Sequence, residues 1–407
     1  MLKNNDSKNY VPISNIVDIY LGGTPSRAES KYWGQGIKWA SATDIATCES
    51  RYLRKTKEQI TELGLQKSAA KLLGKNTVLI TARGTVGALC MLPEPMSFNQ
   101  TCYGLVCHYE LDPTYLYFAL KARIQHIKSQ TYGAVFDTIT IKSFDFITIP
   151  LPTLSTQRKI AAILSAYDDL IENNTRRIKI LEEMAQTLYR HWFVNFKFPG
   201  HEEVRMVDSG TDASTALSTR LGMVPEGWSV VKLGEVADVS WGDTSVTKKS
   251  YVQDGFTAYS ASGPDGYLDY YDYDRKGVVL SAIGANCGIT WFAQGKWSCI
   301  KNTIRFWATS DSVDTEFLYF ATFGKDYWPK RGAAQPFISQ TDAQDVKILL
   351  PSTEVLRLFT NVVSSILLHI DLLIRKNDVL HNTRDLLLPK LVSGELDVSE
   401  LNISGIE

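Results

Sequence analysis

Apolar residues recur along two long stretches of the chain in alternating steps of four and three residues. The first series runs from Ile160 to Trp192, and the second runs from Phe359 to Leu391, 199 residues further along the chain. A 3.5-residue period sustained over more than four heptads is typical of a coiled-coil seam, so we predict two long helices of about 50 Å each. The predicted seam positions are Ile160, Leu164, Tyr167, Ile171, Asn174, Ile178, Leu181, Ala185, Leu188 and Trp192 in the first helix and Phe359, Val363, Ile366, Ile370, Leu373, Asn377, Leu380, Arg384, Leu387 and Leu391 in the second.

Polar residues interrupt this seam. Asn174, Asn377 and Arg384 occupy positions where the pattern calls for apolar side chains. A buried Asn lowers stability but fixes the register of a helix pair, so the two Asn residues indicate one preferred alignment. Alternatively, they mark places where the helices diverge to admit other chains. Pro389 is expected to end or kink the second helix near its last turn.

A different pattern precedes each predicted helix. Short runs rich in Val, Ile, Thr and aromatic residues alternate with Gly, Asn and Asp, which predicts mostly β-strands with a few helices. These regions are related: LYFA at 116–119 recurs at 318–321, and IPLP at 149–152 returns as ILLP at 348–351. Several such matches, in the same order and at similar offsets, indicate a tandem duplication of a unit of roughly 200 residues. We therefore predict an α+β fold.

The duplication divides the chain into segments. The stretch after the first helix is rich in Ser, Thr, Asp and Gly and is predicted to be an exposed connector. The predicted segments are a mostly β domain at 1–152, a long helix at 153–197, the connector at 198–227, a second β domain at 228–351, a second long helix at 352–394 and a C-terminal tail at 395–407.

Each copy contains a glycine-bearing turn after an apolar run. The sequences are VLITARGTVGAL at 78–89 and VVLSAIGANCGI at 278–289. Such a turn could be a phosphate-binding loop or a tight hairpin or bulge turn. The spacing lacks a complete G-x-G-x-x-G, and the residues after Gly87 resemble a strand, which favours the tight turn. The second copy has Ile283 where the first has Arg83.

Composition restricts the function further. The chain has 407 residues, 44% of them hydrophobic, a formal net charge of −1 and six cysteines without a C-x-x-C pair. Reduced thiols are expected, and neither a disulfide nor a metal site is predicted. No apolar run approaches the roughly 20 residues of a membrane span, so a cytoplasmic location is expected. Any basic surface must be local.

Several motifs carry a family resemblance over nearly the whole chain. They are GGTPSR at 22–27, YWG at 32–34, the turn at 83–87, ITIPLP at 147–152, QRKI at 157–160 and MVPEGW at 223–228. Their duplicated order resembles the specificity (S) subunit of type I restriction–modification systems. The resemblance implies two target recognition domains held apart by an antiparallel helix pair. Each domain would read one half of a split, asymmetric DNA site in the major groove, and the helices would set the unread spacer.

The resemblance also implies a division of labour. Two methyltransferase (M) subunits would bind S-adenosylmethionine and methylate adenine, and motor-nuclease (R) subunits would use ATP and Mg²⁺, all docked on the helices. The chain itself has no adenine-methyltransferase or P-loop motif, and Asp137 with Lys142 is interpreted as solvated surface, not as part of a nuclease site. We therefore expect a non-catalytic subunit without its own cofactor or metal.

Base edges call for Arg, Lys, Asn, Gln, Ser and Thr on loops, and phosphates for Lys, Arg or backbone N–H groups. Recurrence of Thr24 as Thr244 and of Gln100 as Asn302 favours a structural role for these pairs, whereas Arg83 and Asn286 differ between copies and are the sharpest candidates. The candidate DNA-binding residues are Thr24, Ser26, Arg27, Lys31, Lys38, Thr43, Arg83, Asn99, Gln100 and Lys142 in the first domain and Thr244, Lys248, Lys249, Ser260, Ser262, Asn286, Lys301, Asn302, Lys330 and Arg331 in the second.

Two other classes remain as alternatives. A free-standing DNA-binding regulator or architectural protein would bind its site without a methyltransferase partner. An enzyme that used the glycine turns for a nucleotide would show saturable nucleotide binding by the isolated chain.

Overall fold

The computed structural model describes residues 10–130, 138–209, 222–310, 312–332 and 334–403. Its Cα positions form two compact units. Unit 1 consists of the described residues of Met1–Arg176 and Leu373–Glu407, and unit 2 consists of those of Arg177–Leu372. Each long helix therefore contributes one part to each unit.

Unit 1 is mainly β-structure followed by helix. Its strands are β1 (Tyr10–Pro12), β2 (Val17–Leu21), β3 (Trp33–Ala40), β4 (Glu58–Ile60), β5 (Leu72–Leu73), β6 (Val78–Thr81), β7 (Leu89–Met91), β8 (Met96–Phe98), β9 (Cys102–Cys107) and β10 (Thr148–Pro150). Its helices are α1 (Ala42–Ala46), α2 (Glu62–Gln66), α3 (Pro113–Gln130) and the first part of α4 (Leu154–Tyr189), with 3-10 turns at Ile13–Asn15, Ser30–Tyr32 and Ile141–Asp145.

The strands of unit 1 form two four-stranded sheets and one short ladder. The first sheet has the order β2-β9-β6-β7 and is antiparallel, whereas the second has the order β4-β3-β8-β5 with β3 and β8 parallel. Strand β1 pairs with β10. Val78 and Ile80 of β6 face one core while Leu79 faces another. Because both faces of β6 are covered, its sequence is a continuous apolar run.

Unit 2 repeats this arrangement. Its strands are β11 (Met206–Asp208), β12 (Met223–Pro225), β13 (Ser229–Lys232), β14 (Ala237–Trp241), β15 (Phe256–Ser260), β16 (Gly263–Leu268), β17 (Tyr273–Asp274), β18 (Gly277–Ser281), β19 (Thr290–Ala293), β20 (Lys296–Cys299), β21 (Thr303–Ala308) and β22 (Lys347–Leu350). Its helices are α5 (Leu233–Val236), α6 (Thr315–Ala321), α7 (Gln340–Gln344) and the first part of α8 (Thr353–Ser393), with a π-helical turn at Arg190–Val194 and 3-10 turns at His201–Glu203 and Lys248–Ser250.

The sheets of unit 2 have the orders β14-β21-β18-β19 and β16-β15-β20-β17, and β13 pairs with β22. Strands β15 and β20 are parallel, as β3 and β8 are in unit 1. The same strand order in both units confirms the predicted tandem duplication and the α+β class. The predicted connector contributes β11 and β12, which pair with each other, and its Ser/Thr-rich middle at 210–221 lies outside the described residues.

The two predicted long helices are present as α4 with 36 residues and α8 with 41 residues. In unit 1, Asp168 of α4 contacts Arg384 of α8 and Asn174 contacts Asn377, so the sequence numbers rise in opposite directions. In unit 2, Arg177 of α4 contacts His369 of α8 and Tyr189 packs on Phe359, so the sequence numbers again run in opposite directions. The helix segments are thus antiparallel within each unit. All of the predicted seam positions are buried or half-buried.

The expectation that Pro389 ends α8 is wrong, whereas a kink at Pro389 stays a prediction. The helix continues through Pro389 to Ser393 and ends before Gly394, whose φ is +68°. Proline removes one backbone hydrogen bond but does not stop the helix here, because Leu388 and Leu391 on either side are buried in the core of unit 1. A left-handed glycine is the actual terminator.

Helix α8 is also more apolar than its interrupted pattern indicated. Among the described residues, α8 is the one helix that is long and apolar enough to cross a membrane, with an 18-residue window of mean hydropathy 1.5. Part of this character has a packing explanation: Phe359, Val363, Leu367 and Ile370 are buried in the core of unit 2.

Candidate nucleic-acid interface

Gly22, the first glycine of the Gly-Gly-Thr segment, and its counterpart Gly242 occupy the same structural position in the two units. The N–H of Gly22 donates to Cys102 O at 3.1 Å, and that of Gly242 donates to Thr303 O at 2.9 Å. A Cβ at Gly22 would lie 2.2 Å from Asn99 O, and one at Gly242 would lie 2.7 Å from Ile300 O. A side chain cannot fit at either position, so the two matching glycines are structural.

The glycine turns after β6 and β18 also share their backbone hydrogen bonds. The N–H of Gly87 donates to Thr81 O, and that of Gly288 donates to Ser281 O, both at 2.9 Å. Gly87 and Gly288 have φ values of +81° and +95°. Since these N–H groups are used inside the turns and a strand, not a helix, follows each turn, the phosphate-loop hypothesis is not supported.

Backbone hydrogen bonds gather the candidate loops at one end of the first sheet in each unit. In unit 1, Ala82 N donates to Thr101 O at 2.8 Å, and Ala82 O accepts from Ile139 N at 2.9 Å. In unit 2, Ala282 makes the equivalent bonds with Asn302 O at 3.0 Å and Ile338 N at 2.9 Å. Asn302 therefore occupies the position of Thr101, and the predicted match of Gln100 with Asn302 is wrong by one residue. The Thr24 hydroxyl donates to Gln100 Oε1, which joins the Gly-Gly-Thr segment to this group of loops. We call these loops the turn cluster. It consists of 22–27, 82–87, 99–101 and 139–142 in unit 1, and of 242–249, 282–288, 300–302 and 338–341 in unit 2.

Most candidate cations of unit 1 are paired with carboxylates. Arg27 makes a two-point contact with Glu58, with Nη2 2.8 Å from Oε2, and its guanidinium lies 3.8 Å from the centre of the Trp33 ring. Hydrogen bonding and the charge of Arg27 hold the pKa of Glu58 below its usual value. Lys38 pairs with Glu94 and also donates to Arg54 O at 2.8 Å. Carboxylates therefore orient these cations before any ligand is bound.

The other unit 1 candidates differ in whether they already have a hydrogen-bond or ion-pair partner. Arg83 and Lys142 are exposed, and neither has an ion-pair partner among the described residues. Asn99 accepts from the N–H and the hydroxyl of Thr101, so it is already engaged in its turn. Ser26 and Thr43 are exposed, and Lys31 is exposed with Glu29 3.5 Å away. Asp137 lies outside the described residues.

The candidates of unit 2 include a compact polar group around Asp265. This carboxylate accepts from Lys248, from the Ser260 hydroxyl at 2.8 Å and from the Tyr251 hydroxyl at 2.9 Å. Burial acts to raise the pKa of Asp265, but these hydrogen bonds outweigh it and leave the pKa lowered. Lys248 also donates to Ser262 at 3.2 Å. Ser260 is 2% exposed and thus supports the surface from below.

The remaining unit 2 candidates lie on separate loops. Asn286 donates to Ala261 O at 3.2 Å, and Asn302 has a φ of +72°, which identifies it as a turn residue. Arg331 pairs with Asp342, and Lys330 lies 3.6 Å from Asp326. Thr244, Lys249 and Lys301 are exposed, and the described part of the chain provides no ion-pair partner for the two lysines.

Sequence reasoning missed the carboxylates that hold these cations. Glu58 pairs in register with Trp39 across β3 and β4, so a register prediction for that hairpin would have brought it near Arg27. It also missed Arg275 and Arg305, which lie 4.4 and 4.0 Å from the Trp307 ring centre.

The described residues contain no group of three His, Cys, Asp or Glu that could hold a metal ion.

The chain matches proteins of one kind. The family model described as the type I restriction modification DNA specificity domain matches residues 5–183 and 225–375. The type I restriction enzyme MjaIX specificity subunit of Methanocaldococcus jannaschii is 26% identical, over 96% of this chain and 93% of that protein. The MjaVIII specificity subunit of the same organism is 24% identical over 72% of each. The crystal structure of the type I restriction-modification system S subunit from M. genitalium has the same fold, with a TM-score of 0.60 at 19% identity over 96% of this chain and 98% of that chain.

Proposed function

This chain belongs to the type I restriction modification DNA specificity family, and we propose that it is the subunit that selects the DNA sequence of a type I restriction–modification complex. Each unit reads one half of a split, asymmetric site in double-stranded DNA. The subunit itself is non-catalytic and acts in the cytoplasm.

The observation that carries this proposal is the turn cluster, which has one backbone framework and two sets of side chains. Both units keep the hydrogen bonds of Ala82 and Ala282 and the left-handed glycines. Yet Arg83 in unit 1 is replaced by Ile283 in unit 2, while both turns keep the glycine that follows. Two domains that read different sequences need a common scaffold and different reading residues, whereas a site for one shared ligand does not.

Charge supports contact at the turn cluster. The whole chain has a net charge of −1, so attraction to phosphates must come from local cations. Arg83 and Lys142 in unit 1, and Lys249 and Lys301 in unit 2, are exposed and free of carboxylate partners among the described residues. We assign base reading to Arg83, whose guanidinium can donate two hydrogen bonds to a guanine edge, and phosphate contact to the lysines.

The catalytic partners are proposed to dock on the long helices. Helix α8 leaves apolar side chains exposed in each unit: Leu368 and Leu372 in unit 2, and Val379 and Leu386 in unit 1, with exposed fractions from 53% to 69%. Exposed apolar side chains on a water-facing helix are typical of an interface. We propose that two M subunits, with S-adenosylmethionine and adenine-N6 specificity, bind there, and that R subunits carry ATP and Mg²⁺.

The helices are also proposed to set the spacer. At about 1.5 Å per residue, a helix the length of α4 spans roughly the distance of 15 base pairs at about 3.4 Å each. The unread part of the site should therefore be a fixed number of base pairs.

The main experiment is to co-express the chain with the methyltransferase encoded beside it and to map methylated adenines by single-molecule sequencing. One split motif is expected, and replacing residues 11–150 with another recognition domain should alter one half of it only. The absence of a split motif, or a change in both halves, contradicts the proposal. Site-specific binding by the isolated chain without any methylation would favour the free-standing regulator.

A narrower experiment tests Arg83. The variant Arg83→Ala should relax one base position of one half-site, with a loss of about 1–3 kcal/mol in discrimination. Lys75→Ala is the matched control, because Lys75 precedes β6 and Arg83 follows it, so the two exposed cations lie at opposite ends of the strand. An unchanged motif in Arg83→Ala removes this residue from the reading set.

Docking is tested by co-purification. Introducing charge with Val379→Lys and Leu386→Lys should abolish capture of the M subunit, while Lys376→Ala, at an exposed polar position of α8, should not. Retention of the M subunit by the doubly charged variant places the interface elsewhere.

A further inference from the structure

The recognition domain of unit 1 meets the helices through a buried ionic cluster that the reading of DNA does not use. Arg51 comes from the recognition domain, Asp168 from α4 and Arg384 from α8. Their side chains are 7%, 9% and 9% exposed. We call these three residues the junction triad.

The triad is held by direct contacts. Arg384 Nη1 lies 2.6 Å from Asp168 Oδ1, and Arg51 Nη1 lies 3.9 Å from Asp168 Oδ2. Arg51 Nη2 also lies 2.9 Å from Asp169 Oδ1. Three chain segments that are far apart in sequence therefore meet around one carboxylate.

The arm that carries Arg51 is fixed to the sheet. Arg51 O accepts from Met91 N at 2.8 Å, and Met91 O accepts from Leu53 N at 3.0 Å. These two bonds add residues 51–53 to the edge of the first sheet beside β7. Any rotation of the recognition domain on the helices must therefore displace the Arg51 guanidinium from the Asp168 carboxylate.

The triad is poorly suited to a purely stabilising role. Among the described residues, Arg51 Nε and Nη1 and Asp168 Oδ2 have no hydrogen-bond partner although they are buried. Buried charges with unmet hydrogen bonds gain little over a well-packed apolar contact. Such groups can nevertheless impose one geometry, because displacing Asp168 leaves each arginine with a single carboxylate, Asp169 for Arg51 and Asp385 for Arg384.

Unit 2 shows that the fold does not need these charges. The internal repeat of 199 residues places Leu367 where unit 1 has Asp168, and Ala185 where unit 1 has Arg384. Leu367 and Ala185 are both buried in the core of unit 2. The same helix packing thus exists with an apolar pair.

We infer that Arg51, Asp168 and Arg384 are positioning residues that fix the orientation of the unit 1 recognition domain on the helix pair and so restrict the DNA site to one spacer length. This inference rests on the proposed function. An apolar contact can slide with little loss, whereas the triad tolerates only a narrow range of angles. Loss of the triad should broaden the set of spacers that the complex accepts without altering either half-site.

The test uses the full chain co-expressed with its methyltransferase partner, and methylation mapped by single-molecule sequencing. The variant Asp168→Leu/Arg384→Ala copies the residue pair of unit 2, and Arg51→Met removes the guanidinium that the recognition domain contributes to the triad. The wild type should prefer one spacer by about tenfold or more over spacers one base pair longer or shorter. Both variants should reduce that preference to about threefold or less while the half-site bases stay the same.

Two further variants separate positioning from folding. Arg51→Lys keeps the charge and should retain most of the preference, and Lys232→Met removes an exposed ion pair with Asp345 in unit 2 and should change nothing. Amide hydrogen exchange provides a readout without DNA: the amides of 51–54 should exchange faster in Arg51→Met, while those of β6 do not change. A single spacer and unchanged exchange in folded triad variants would overturn the inference, whereas a wild type without any split motif would overturn the proposed function instead.

Discussion

The helix segments of the two units share a backbone plan but pack with different side chains. In unit 2 the junction is aromatic: Phe193 lies 4.8 Å from Phe359, 5.1 Å from Phe317 and 5.7 Å from Trp228 between ring centres, and Tyr189 packs on the same group. In unit 1 the repeat places Ile160 and Val392, both buried and apolar, at the positions of Phe359 and Phe193, and the charged junction triad lies further along the helices. The aromatic junction gains free energy from buried area, whereas the ionic junction gains mainly directional preference.

The difference shows which features a duplication preserves. Both copies retain the strand order, the left-handed glycines and the buried helix positions, because these determine whether the backbone can fold. The side chains at the junction changed type, since several sets can fill the same space, including one in which Arg51 and Asp168 leave polar atoms without a hydrogen-bond partner among the described residues. Function then selects among those sets.

The largest expected effect is on the aromatic junction. Phe359 is fully buried and contacts five other rings of unit 2, so Phe359→Ala should lower the free energy of unfolding by about 3–5 kcal/mol. Urea unfolding followed by tryptophan fluorescence measures it, and the loss should appear in the transition of unit 2. Leu358→Ala, at the neighbouring exposed position, should change stability by no more than about 0.5 kcal/mol. Equal losses in both variants would contradict this account of the junction.

The ionic junction should respond in a non-additive way. Asp168→Leu leaves Arg384 with Asp385 as its one remaining carboxylate and should cost about 3 kcal/mol. Asp168→Leu/Arg384→Ala also removes that buried guanidinium, while Arg51 keeps Asp169, and should cost about 1 kcal/mol. Urea unfolding of Asp168→Leu, Arg384→Ala and the double variant gives the coupling energy. If the losses simply add, the charges are not coupled, and the contrast between the junctions disappears.

These residues also show how far the sequence could be interpreted. The 3.5-residue period predicted the buried face of both helices, because burial imposes that period whatever the partner. It placed Arg384 in the seam but could not supply its partner, since Asp168 lies outside the seam series and the alignment of two distant helices depends on tertiary packing. For the two Asn residues, the structure favours a pairing role: Asn174 donates to Asn377 at 2.9 Å.

The turn cluster could also be predicted only in part from the sequence. Matching offsets predicted the duplicated turns, and the residues after Gly87 predicted a strand. Which cations are free to meet DNA was not predictable, because Arg27 and Lys248 find their carboxylates across strands and loops that the sequence does not place side by side. The assignment of individual residues to DNA contact therefore stays a prediction.

A smaller effect is expected at the Asn pair of unit 1. The internal repeat places Leu373 and Ile178 at the positions equivalent to Asn174 and Asn377. Asn174→Leu/Asn377→Ile should therefore raise the free energy of unfolding by about 1 kcal/mol, because an apolar pair needs no hydrogen bond when buried. Thermal unfolding monitored by circular dichroism measures the change. A clear loss of stability would show that the fold depends on the polar pair at these positions.

The smallest effect concerns the carboxylates that hold candidate DNA-reading cations. Glu58 in unit 1 has a side chain 36% exposed, so solvent screens its pair with Arg27 and Glu58→Gln should cost only a few tenths of a kcal/mol at neutral pH. The counterpart in unit 2, Asp265, has a side chain 25% exposed and accepts three side-chain hydrogen bonds, so Asp265→Asn should cost about 1 kcal/mol.

Their pH dependence gives the sign of the effect. Arg27 lowers the pKa of Glu58 in the folded protein, so the carboxylate stabilises the fold fully above its unfolded pKa of about 4.3. That contribution is lost as pH falls through the lower, folded pKa. The stability difference between wild type and Glu58→Gln should thus be constant from pH 5 to pH 7 and shrink below about pH 4. Urea unfolding at stepped pH measures it, with Glu62→Gln on α2 as a control carboxylate whose difference should remain near zero throughout. A difference that grew on acidification would mean that the pair with Arg27 raises the pKa of Glu58, the reverse of the electrostatics argued for the turn cluster.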